Sequence, residues 1–318
     1  KEGIFSAVNK VIAYLTKVSV PVEDKIKEIA TISTNNDSEL GEIIAEAFIQ
    51  VGKTGVVIME PSQHGETKVE IVEGIEYNKG LLNPNFVTNK ENHTAELDNP
   101  LVLIIDSKIE SIRQIQNVLE YVIKNNKALF IIGDVEPPVL SALVMNKMKG
   151  NIKVNIVDPP AFGLKRKEIL EDIALLTNSQ IINEDLGDDL NTIEVDYLGT
   201  CLKTTTNNDQ TIIQVESISE EVENIISNIK NKLSKKLKAH EVVMYEHRLA
   251  RLSAKVAIVK VGANSDIELK EKQDRVEDAI CATKAAIKEG IVPGGGIALL
   301  NASQNIKHDN IGEEILLK

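Results

Sequence analysis

Three consecutive glycines, Gly294–Gly296 in the segment EGIVPGGGIALL, are the first feature of the sequence that suggests chemistry. A phosphate-binding loop of the Walker type needs a lysine and a hydroxyl residue directly after its last glycine, whereas Ile297 and Ala298 follow here. A dinucleotide-binding turn needs a strand before the glycines, and no strand pattern precedes them. The spacing alone therefore favours a flexible joint between two helices over a phosphate cradle.

A cluster of carboxylates lies upstream of the glycines. The segment DRVEDA (274–279) places Asp274, Glu277 and Asp278 on a predicted helix. Such clusters are usually a solvated acidic face. The functional alternative is a carboxylate that positions water or magnesium near phosphates held beside the glycines.

Other catalytic or metal-binding patterns are weak. The two cysteines, Cys201 and Cys281, are isolated, which predicts neither a disulfide framework nor a zinc site and favours a reducing compartment. No local signature of a Ser/His/Asp or Cys/His arrangement is present. The histidines lack metal-ligand spacing, so we predict no metal site and interpret them as surface residues: His64, His93, His240, His247 and His308.

Composition narrows the class of protein. The 48 acidic and 36 basic residues give a net charge of -12, which argues against nucleic acid as a partner. A hydrophobic content of 42% and a charged content of 26% are typical of soluble globular proteins, and no apolar run approaches the length of a membrane span. Aromatic residues make up only 3% of the chain and tryptophan is absent, so the cores must be aliphatic.

The hydrophobic pattern predicts an α/β domain at the centre of the chain. The apolar runs LVLIID (101–106), ALFIIGD (128–134) and KVNIVD (153–158) are typical of strands covered on both faces, and helical patterns separate them. Strand and helix alternating with short links indicate a parallel sheet. The flanking elements that we predict are helices at 1–17, 38–51 (capped by Asn36 with Glu39 and ended by Gly52), 168–176, 217–252 and 274–288, and strands at 54–60, 67–77 and 255–263.

The predicted helix at 138–149 carries more apolar residues than one buried face requires. Leu140, Leu143, Val144 and Met148 form one stripe, with Met145 beside it. Ordinary core packing is one interpretation of this stripe. The other is an exposed face that binds extended or helical peptides.

Several long segments, collinear with almost the whole chain, closely resemble group I chaperonins of the GroEL type. They include EIIAEAFIQVGKTGVVIMEPS, VEGIEYNKGLLNPNFV, ALVMNKMKGNIKV, RKEILEDIALLT and VKVGANSDIELKEKQDRVEDAICATKAAIKEGIVPGGGIALL. The resemblance implies an α/β apical domain inserted between two segments of a small α+β intermediate domain, with helical stubs of an equatorial domain. The implied segments are 1–17 (equatorial), 18–73 (intermediate), 74–256 (apical), 257–290 (intermediate) and 291–318 (equatorial).

The resemblance also implies roles for single residues. Asp278 matches the carboxylate that orders the attacking water during ATP hydrolysis, and Gly294, Gly295 and Gly296 match the ribose and base side of the nucleotide site. Gly74 matches a glycine of the hinge at the apical domain. On the other strand of that hinge, Ala254-Lys255 replaces a glycine pair found in many members, which should stiffen this strand. Lys79 and Asp266 match an ion pair between subunits. The implied peptide-binding positions are Leu81, Phe86, Leu119, Leu140, Val144 and Met145, of which Leu140, Val144 and Met145 should face solvent. Asn85 and Gln116 stand where the family often has larger apolar groups, which makes the implied groove more polar.

As a member of that family the protein would be a folding ATPase that uses ATP and Mg²⁺ and forms a homo-oligomeric ring. Its partners would be non-native polypeptides and a co-chaperonin lid of the GroES type, with neither nucleic acid nor membrane. The phosphate loop of the type Gly-Asp-Gly-Thr-Thr-Thr is absent from the sequence, so we expect a piece of a longer subunit that binds no nucleotide alone. We expect it in a bacterial cytoplasm or an organelle, with a plastid favoured over a mitochondrion. The alternatives are a free-standing peptide-binding module and a nucleotide-dependent enzyme with Asp278 as its base.

Overall fold

The computed structural model describes residues 1–22, 25–52, 55–62, 65–161, 163–234, 238–307 and 309–317. It is a mixed α/β protein, as predicted, and it divides into two compact units. Unit 1 comprises Lys1–Lys53, Val57–Glu70 and Ile258–Lys318, and unit 2 comprises Thr54–Val56 and Ile71–Ala257. The further division into five segments of three domains stays a prediction. His64 and His308 lie outside the described residues.

The described helices are α1 (Glu2–Val18), α2 (Ile26–Ser33), α3 (Ser38–Val51), α4 (Gln116–Lys124), α5 (Pro137–Met148), α6 (Leu164–Thr177), α7 (Glu220–Leu233), α8 (Ala239–Leu252), α9 (Asp266–Glu289), α10 (Ile297–Asn305) and α11 (Ile311–Leu317). The described strands are β1 (Val56–Pro61), β2 (Lys68–Tyr77), β3 (Ala95–Asp98), β4 (Leu101–Ile109), β5 (Ala128–Val135), β6 (Lys153–Val157), β7 (Ile181–Ile182), β8 (Gly199–Thr200), β9 (Lys203–Thr206), β10 (Thr211–Val215) and β11 (Lys255–Val261).

A parallel sheet with the order β6-β5-β4-β7 forms the centre of unit 2. Leu101 pairs with Leu129 across β4 and β5, and Ala128 pairs with Lys153 across β5 and β6. Alternate residues of these strands belong to two different buried clusters. Val102 packs in a cluster with side chains of α6, α7 and α8. Leu103 packs in a second cluster with side chains of α4 and α5. The sheet is therefore covered on both faces, as the unbroken apolar runs predict.

Unit 2 also contains an antiparallel set of strands in the order β2-β10-β9-β3. Gly74 of β2 pairs with Gln214 of β10, and its N–H group also donates to the carbonyl oxygen of Ala254 at 3.3 Å. A Cβ atom at Gly74 would lie 2.5 Å from the carbonyl oxygen of Ile213 and 2.8 Å from a methyl group of Val256. Close approach of neighbouring strands, rather than an unusual backbone angle, therefore excludes a side chain at this position.

Unit 1 contains two groups of helices. One group is formed by α2, α3 and α9, and the other by α1, α10 and α11. The two chain segments that link the groups run side by side, with Val20 and Ile291 exchanging backbone hydrogen bonds of 2.9 and 3.0 Å. Gly290 precedes this bridge with a φ of 81°, and a Cβ there would lie 2.3 Å from Ser19 Oγ. This position therefore needs glycine for both its backbone angle and its lack of a side chain.

Several predicted element ends are wrong. Asp37, not Asn36, caps α3, because the Asp37 carboxylate accepts from the N–H groups of Glu39 and Leu40 at 3.2 and 3.1 Å. The single long helix predicted at 217–252 is the helix pair α7 and α8, both packed on the cluster beneath α6. Helix α2 was not predicted. Helix α9 begins eight residues earlier than predicted, at Asp266, because Ser265 caps it.

Candidate functional sites

Helices α4 and α5 lie on the same face of the parallel sheet of unit 2 and bury one side of each helix there. Val118 and Val122 of α4, and Val139 and Leu143 of α5, are at most 2% exposed. Other apolar residues of the two helices remain in contact with solvent. We call them the α4–α5 surface: Leu119, Ile123, Leu140, Met145 and Met148.

The side chains of this surface differ in exposure. Leu119 and Leu140 are half-buried and pack against the cluster beneath them. Ile123 is 51% exposed, Met145 is 56% exposed and Met148 is 68% exposed. The prediction that helix 138–149 has apolar side chains beyond its buried face is therefore confirmed.

Two of the implied peptide-binding residues are buried. Phe86 is 0% exposed and Val144 is 7% exposed, so the expectation that Val144 faces solvent is wrong. Val144 lies at the edge of the buried side of α5, one residue after Leu143, and belongs to the same cluster. Of the remaining positions, Leu81 is half-buried against the same cluster. A role in peptide binding stays a prediction for all six residues.

Ile123 and Met148 belong to this surface but were not among the predicted site residues. Ile123 follows Leu119 by four residues, and Met148 follows Met145 by three, so each lies next to a predicted residue on its helix. Helical spacing had already placed Met148 on the predicted apolar stripe of this helix, and the same spacing could have found Ile123. Asn85 and Gln116, which the resemblance places in the peptide-binding groove as polar residues, are both exposed. Gln116 donates a hydrogen bond of 2.6 Å to Glu120.

A lysine links α5 to the loop that carries Phe86. Lys147 Nζ donates to the carbonyl oxygens of Asn85 and Val87 at 2.6 and 2.8 Å. The same contact desolvates the ammonium group, and this burial lowers the pKa of Lys147. The contact holds the short 3₁₀ helix Pro84–Phe86 against α5, so that Phe86 stays in the core.

The three glycines form a turn in unit 1 that leads into α10. Gly295 and Gly296 have φ angles of 63° and 79°, and no atom lies within 4 Å of a Cβ built at any of the three positions. Gly296 is the N-cap of α10 and provides no side-chain cap for the helix. This backbone is therefore open to a ligand that approaches closely, and its first helical N–H groups can donate to oxygen atoms. The glycine turn fits the predicted ribose side of a nucleotide in this respect.

Asp278 lies exposed on α9, in the same unit as the glycine turn. It precedes the last residue of the helix, Glu289, by 11 residues, which corresponds to about 17 Å along the helix axis. The neighbouring residues Asp274 and Glu277 are also exposed, so the cluster is an acidic surface of α9. Burial, together with the negative charges of Glu277 and Asp278, raises the pKa of Cys281. A protonated Cys281 is a poor nucleophile. A catalytic role for Asp278 stays a prediction.

The two residues of the predicted ion pair, Lys79 and Asp266, belong to different units. Lys79 lies in unit 2, with its Nζ 4.0 Å from a carboxylate oxygen of Asp158. Asp266 is the first residue of α9 in unit 1 and is exposed. A contact between Lys79 and Asp266 of different subunits stays a prediction, as does the role of Gly74 as a hinge.

Sequence analysis missed a buried ion cluster in unit 2. Asp172 of α6 is 0% exposed and accepts from Arg248 Nε at 3.0 Å and from Arg251 Nε at 2.8 Å, both on α8. Burial raises the pKa of Asp172, and the two guanidinium groups oppose that rise. No local sequence pattern indicates this cluster, because Asp172 lies 76 and 79 residues from its two arginine partners.

Neither a membrane-spanning helix nor a metal-binding cluster is found in the residue ranges that the structure describes. Within those ranges, no helix is long and apolar enough to cross a membrane. No group of three or more His, Cys, Asp or Glu side chains among the described residues is suited to a metal ion.

The fold and these sites define a mixed α/β protein of two units, one of which exposes apolar side chains on two adjacent crossover helices. The model of the TCP-1/cpn60 chaperonin family matches residues 1–314, which is nearly the whole chain. The chain therefore belongs to this family, and a protein-folding role of the chaperonin type follows from its membership.

Proposed function

We propose that this chain acts in an ATP-dependent chaperonin of group I, and that the α4–α5 surface binds non-native polypeptides and a co-chaperonin lid. The observation that carries the proposal is the exposure of Ile123, Met145 and Met148 on helices whose other sides are buried in the sheet. Such groups are typical of a surface that contacts a partner.

The chemistry of the surface suits an unfolded partner. A non-native polypeptide exposes apolar side chains that a native protein buries, and their removal from water drives association without a fixed geometry. Methionine adapts well to such partners, because its unbranched side chain and polarisable sulfur accommodate different shapes. A lid segment with apolar side chains would compete for the same positions.

The roles proposed for unit 1 concern ATP. Magnesium-bound ATP would supply the phosphoanhydride bond whose hydrolysis drives the cycle. The open backbone of Gly294–Gly296 would contact the ribose side of the nucleotide, and the exposed Asp278 carboxylate would accept a hydrogen bond from the attacking water and orient it. Ring assembly and the co-chaperonin belong to the same proposal.

The test of polypeptide binding uses two serine substitutions and one matched control. Ile123→Ser with Met145→Ser removes apolar area from the α4–α5 surface. Leu186→Ser removes a side chain that is 76% exposed on a different element, the 3₁₀ helix Glu184–Leu186. Fluorescence anisotropy with a labelled, chemically unfolded client measures affinity. We expect the double variant to bind about 30-fold more weakly, since burial of half of an apolar side chain contributes about 1 kcal/mol and two such side chains are lost.

The control variant should bind the client like the wild type, and all three proteins should keep the same melting temperature. Equal affinity of the double variant and the wild type would contradict the proposed binding surface.

For the ATPase, Asp278→Ala in the assembled protein should lower turnover by about 10²–10⁴-fold while ATP binding persists, as expected for loss of a group that positions the attacking water. Unchanged turnover would remove Asp278 from the proposal.

A further inference from the structure

The exposed part of the α4–α5 surface is rich in methionine. Met145 and Met148 have the largest exposed fractions of the five residues, at 56% and 68%. On an α-helix, Met148 lies about 40° around the axis from Val144 and about 60° from Met145. The two thioethers therefore extend the apolar side of α5 from the buried Val144 into solvent, next to each other.

The other two of the four methionines lie elsewhere. Met244 is 42% exposed on α8, which packs on the opposite face of the parallel sheet. Met59 is half-buried in β1 of unit 1. The two most exposed methionines of the chain thus coincide with the surface proposed to bind polypeptides.

We propose that Met145 and Met148 are a reversible oxidation site that controls the affinity of the α4–α5 surface for non-native polypeptides. This inference rests on the proposed binding function. The oxidant is a peroxide: the thioether sulfur attacks one peroxide oxygen, the O–O bond breaks, an S–O bond forms, and water leaves. The sulfur loses two electrons and the peroxide gains them. A thiol-dependent methionine sulfoxide reductase reverses the change, with the oxygen leaving as water and two thiols becoming a disulfide.

The sulfoxide changes binding because its oxygen needs a hydrogen-bond partner. In free protein that partner is water, since both side chains are largely exposed. A bound apolar segment would remove the water without replacing it. The desolvation of two sulfoxides should weaken client binding by about 10- to 100-fold.

The same exposure protects the fold. Oxidation of a buried methionine inserts a polar group into a packed core, whereas the sulfoxides of Met145 and Met148 remain in water. Leu143 and Val144 form the buried side of α5 and cannot be oxidised in this way. The melting temperature should therefore stay within about 1–2 °C of that of the unoxidised protein.

The experiment compares three forms of the full chain before and after hydrogen peroxide. They are the wild type, Met145→Leu with Met148→Leu, and the control Met244→Leu. Mass spectrometry measures sulfoxide at each position, and a subsequent thiol treatment reverses cysteine sulfenic acids and disulfides without reducing sulfoxides. The readouts are anisotropy with a labelled unfolded client and thermal melting.

We expect Met148 and Met145 to oxidise before Met244 and Met59. Oxidised wild type and Met244→Leu should bind the client about 10- to 100-fold more weakly, and treatment with the reductase should restore binding. The client affinity of the double leucine variant, whatever its value before peroxide, should not change on peroxide treatment, because leucine lacks a sulfur that could be oxidised.

Two results would overturn the inference: an equal loss of affinity in the double leucine variant, or full oxidation of both residues in the wild type without loss of affinity. Failure of the proposed function looks different. In that case the unoxidised wild type and the Ile123→Ser, Met145→Ser variant would bind the client equally, before any peroxide is added.

Discussion

Neighbouring residues on α5 should respond to truncation in opposite ways. Val144 is 7% exposed within the cluster beneath α5, whereas Met145 is 56% exposed. We predict that Val144→Ala lowers the stability of unit 2 and leaves client affinity almost unchanged. We predict that Met145→Ala weakens client binding and leaves stability almost unchanged.

The magnitudes follow from burial. Val144→Ala removes two methyl groups, each contributing about 0.8 kcal/mol when buried, and the cavity that remains raises the total to about 2–3 kcal/mol. For a domain of roughly 150–250 residues this lowers the melting temperature by about 4–12 °C. Met145→Ala removes atoms that are already mostly in water, and alanine has the higher helix propensity, so the free energy of unfolding should change by less than about 0.5 kcal/mol.

The assay combines thermal unfolding, followed by circular dichroism, with anisotropy titration of a labelled unfolded client. For Met145→Ala we expect about a threefold to tenfold loss of affinity, which corresponds to the apolar contact of one half-exposed side chain. The reasoning would be refuted if Val144→Ala left the melting temperature unchanged while client affinity fell, because Val144 would then act as a surface residue.

Three further predictions concern stability. Gly290→Ala should lower the free energy of unfolding in urea by about 2–4 kcal/mol, because the new side chain meets both a positive φ and a steric clash. The control Gly150→Ala, where φ is 73° and the surrounding space is open, should lower it by only about 1–2 kcal/mol. Equal losses in the two variants would contradict the clash at Gly290. Asp172→Asn should lower the free energy of unfolding by about 2–4 kcal/mol, since it leaves two partly buried guanidinium groups without their anion. An unchanged stability would show that water replaces the lost carboxylate. Glu313 has its pKa lowered from 4.5 to about 2, first by the hydrogen bond from Lys10 and then by those from Ser6 and the Asp309 backbone. A carboxyl group whose pKa is lower in the folded than in the unfolded protein stabilises the folded state at pH values above its unfolded pKa. The greater stability of the wild type relative to Glu313→Gln should therefore be complete above about pH 4.5 and disappear as the pH falls to about 2. A stability difference that does not change with pH would refute the lowered pKa of Glu313.

Much of the secondary structure could be predicted because local patterns report local burial. The three apolar runs are β4, β5 and β6, and the glycine after the second predicted helix is its C-cap, Gly52, with a φ of 69°. Errors occurred where several residues could satisfy the same local rule. Asn36 and Asp37 can both cap a helix, and the backbone of Asn36, with a φ of 65°, lies outside the geometry that a cap needs.

The candidate sites divide in a similar way. The family motifs, and with them Asp278 and Gly294–Gly296, could be recognised from residue order alone. The exposure of the α5 residues could not be predicted from the sequence. Val144 and Met145 are both apolar, and the pattern of this helix contains too many apolar positions to indicate which side is buried.

The sequence by itself determined the class of fold, the chaperonin family and the presence of surplus apolar residues on α5, since these depend on composition, periodicity and motifs that lie within short segments. Only the tertiary structure decided which of those residues face solvent. It also brought Asp172 to Arg251, which is 79 positions away, and Lys10 to Glu313, which is 303 positions away. The physical reason is that burial and ion pairing depend on which elements pack together, and that choice is made by the whole chain at once.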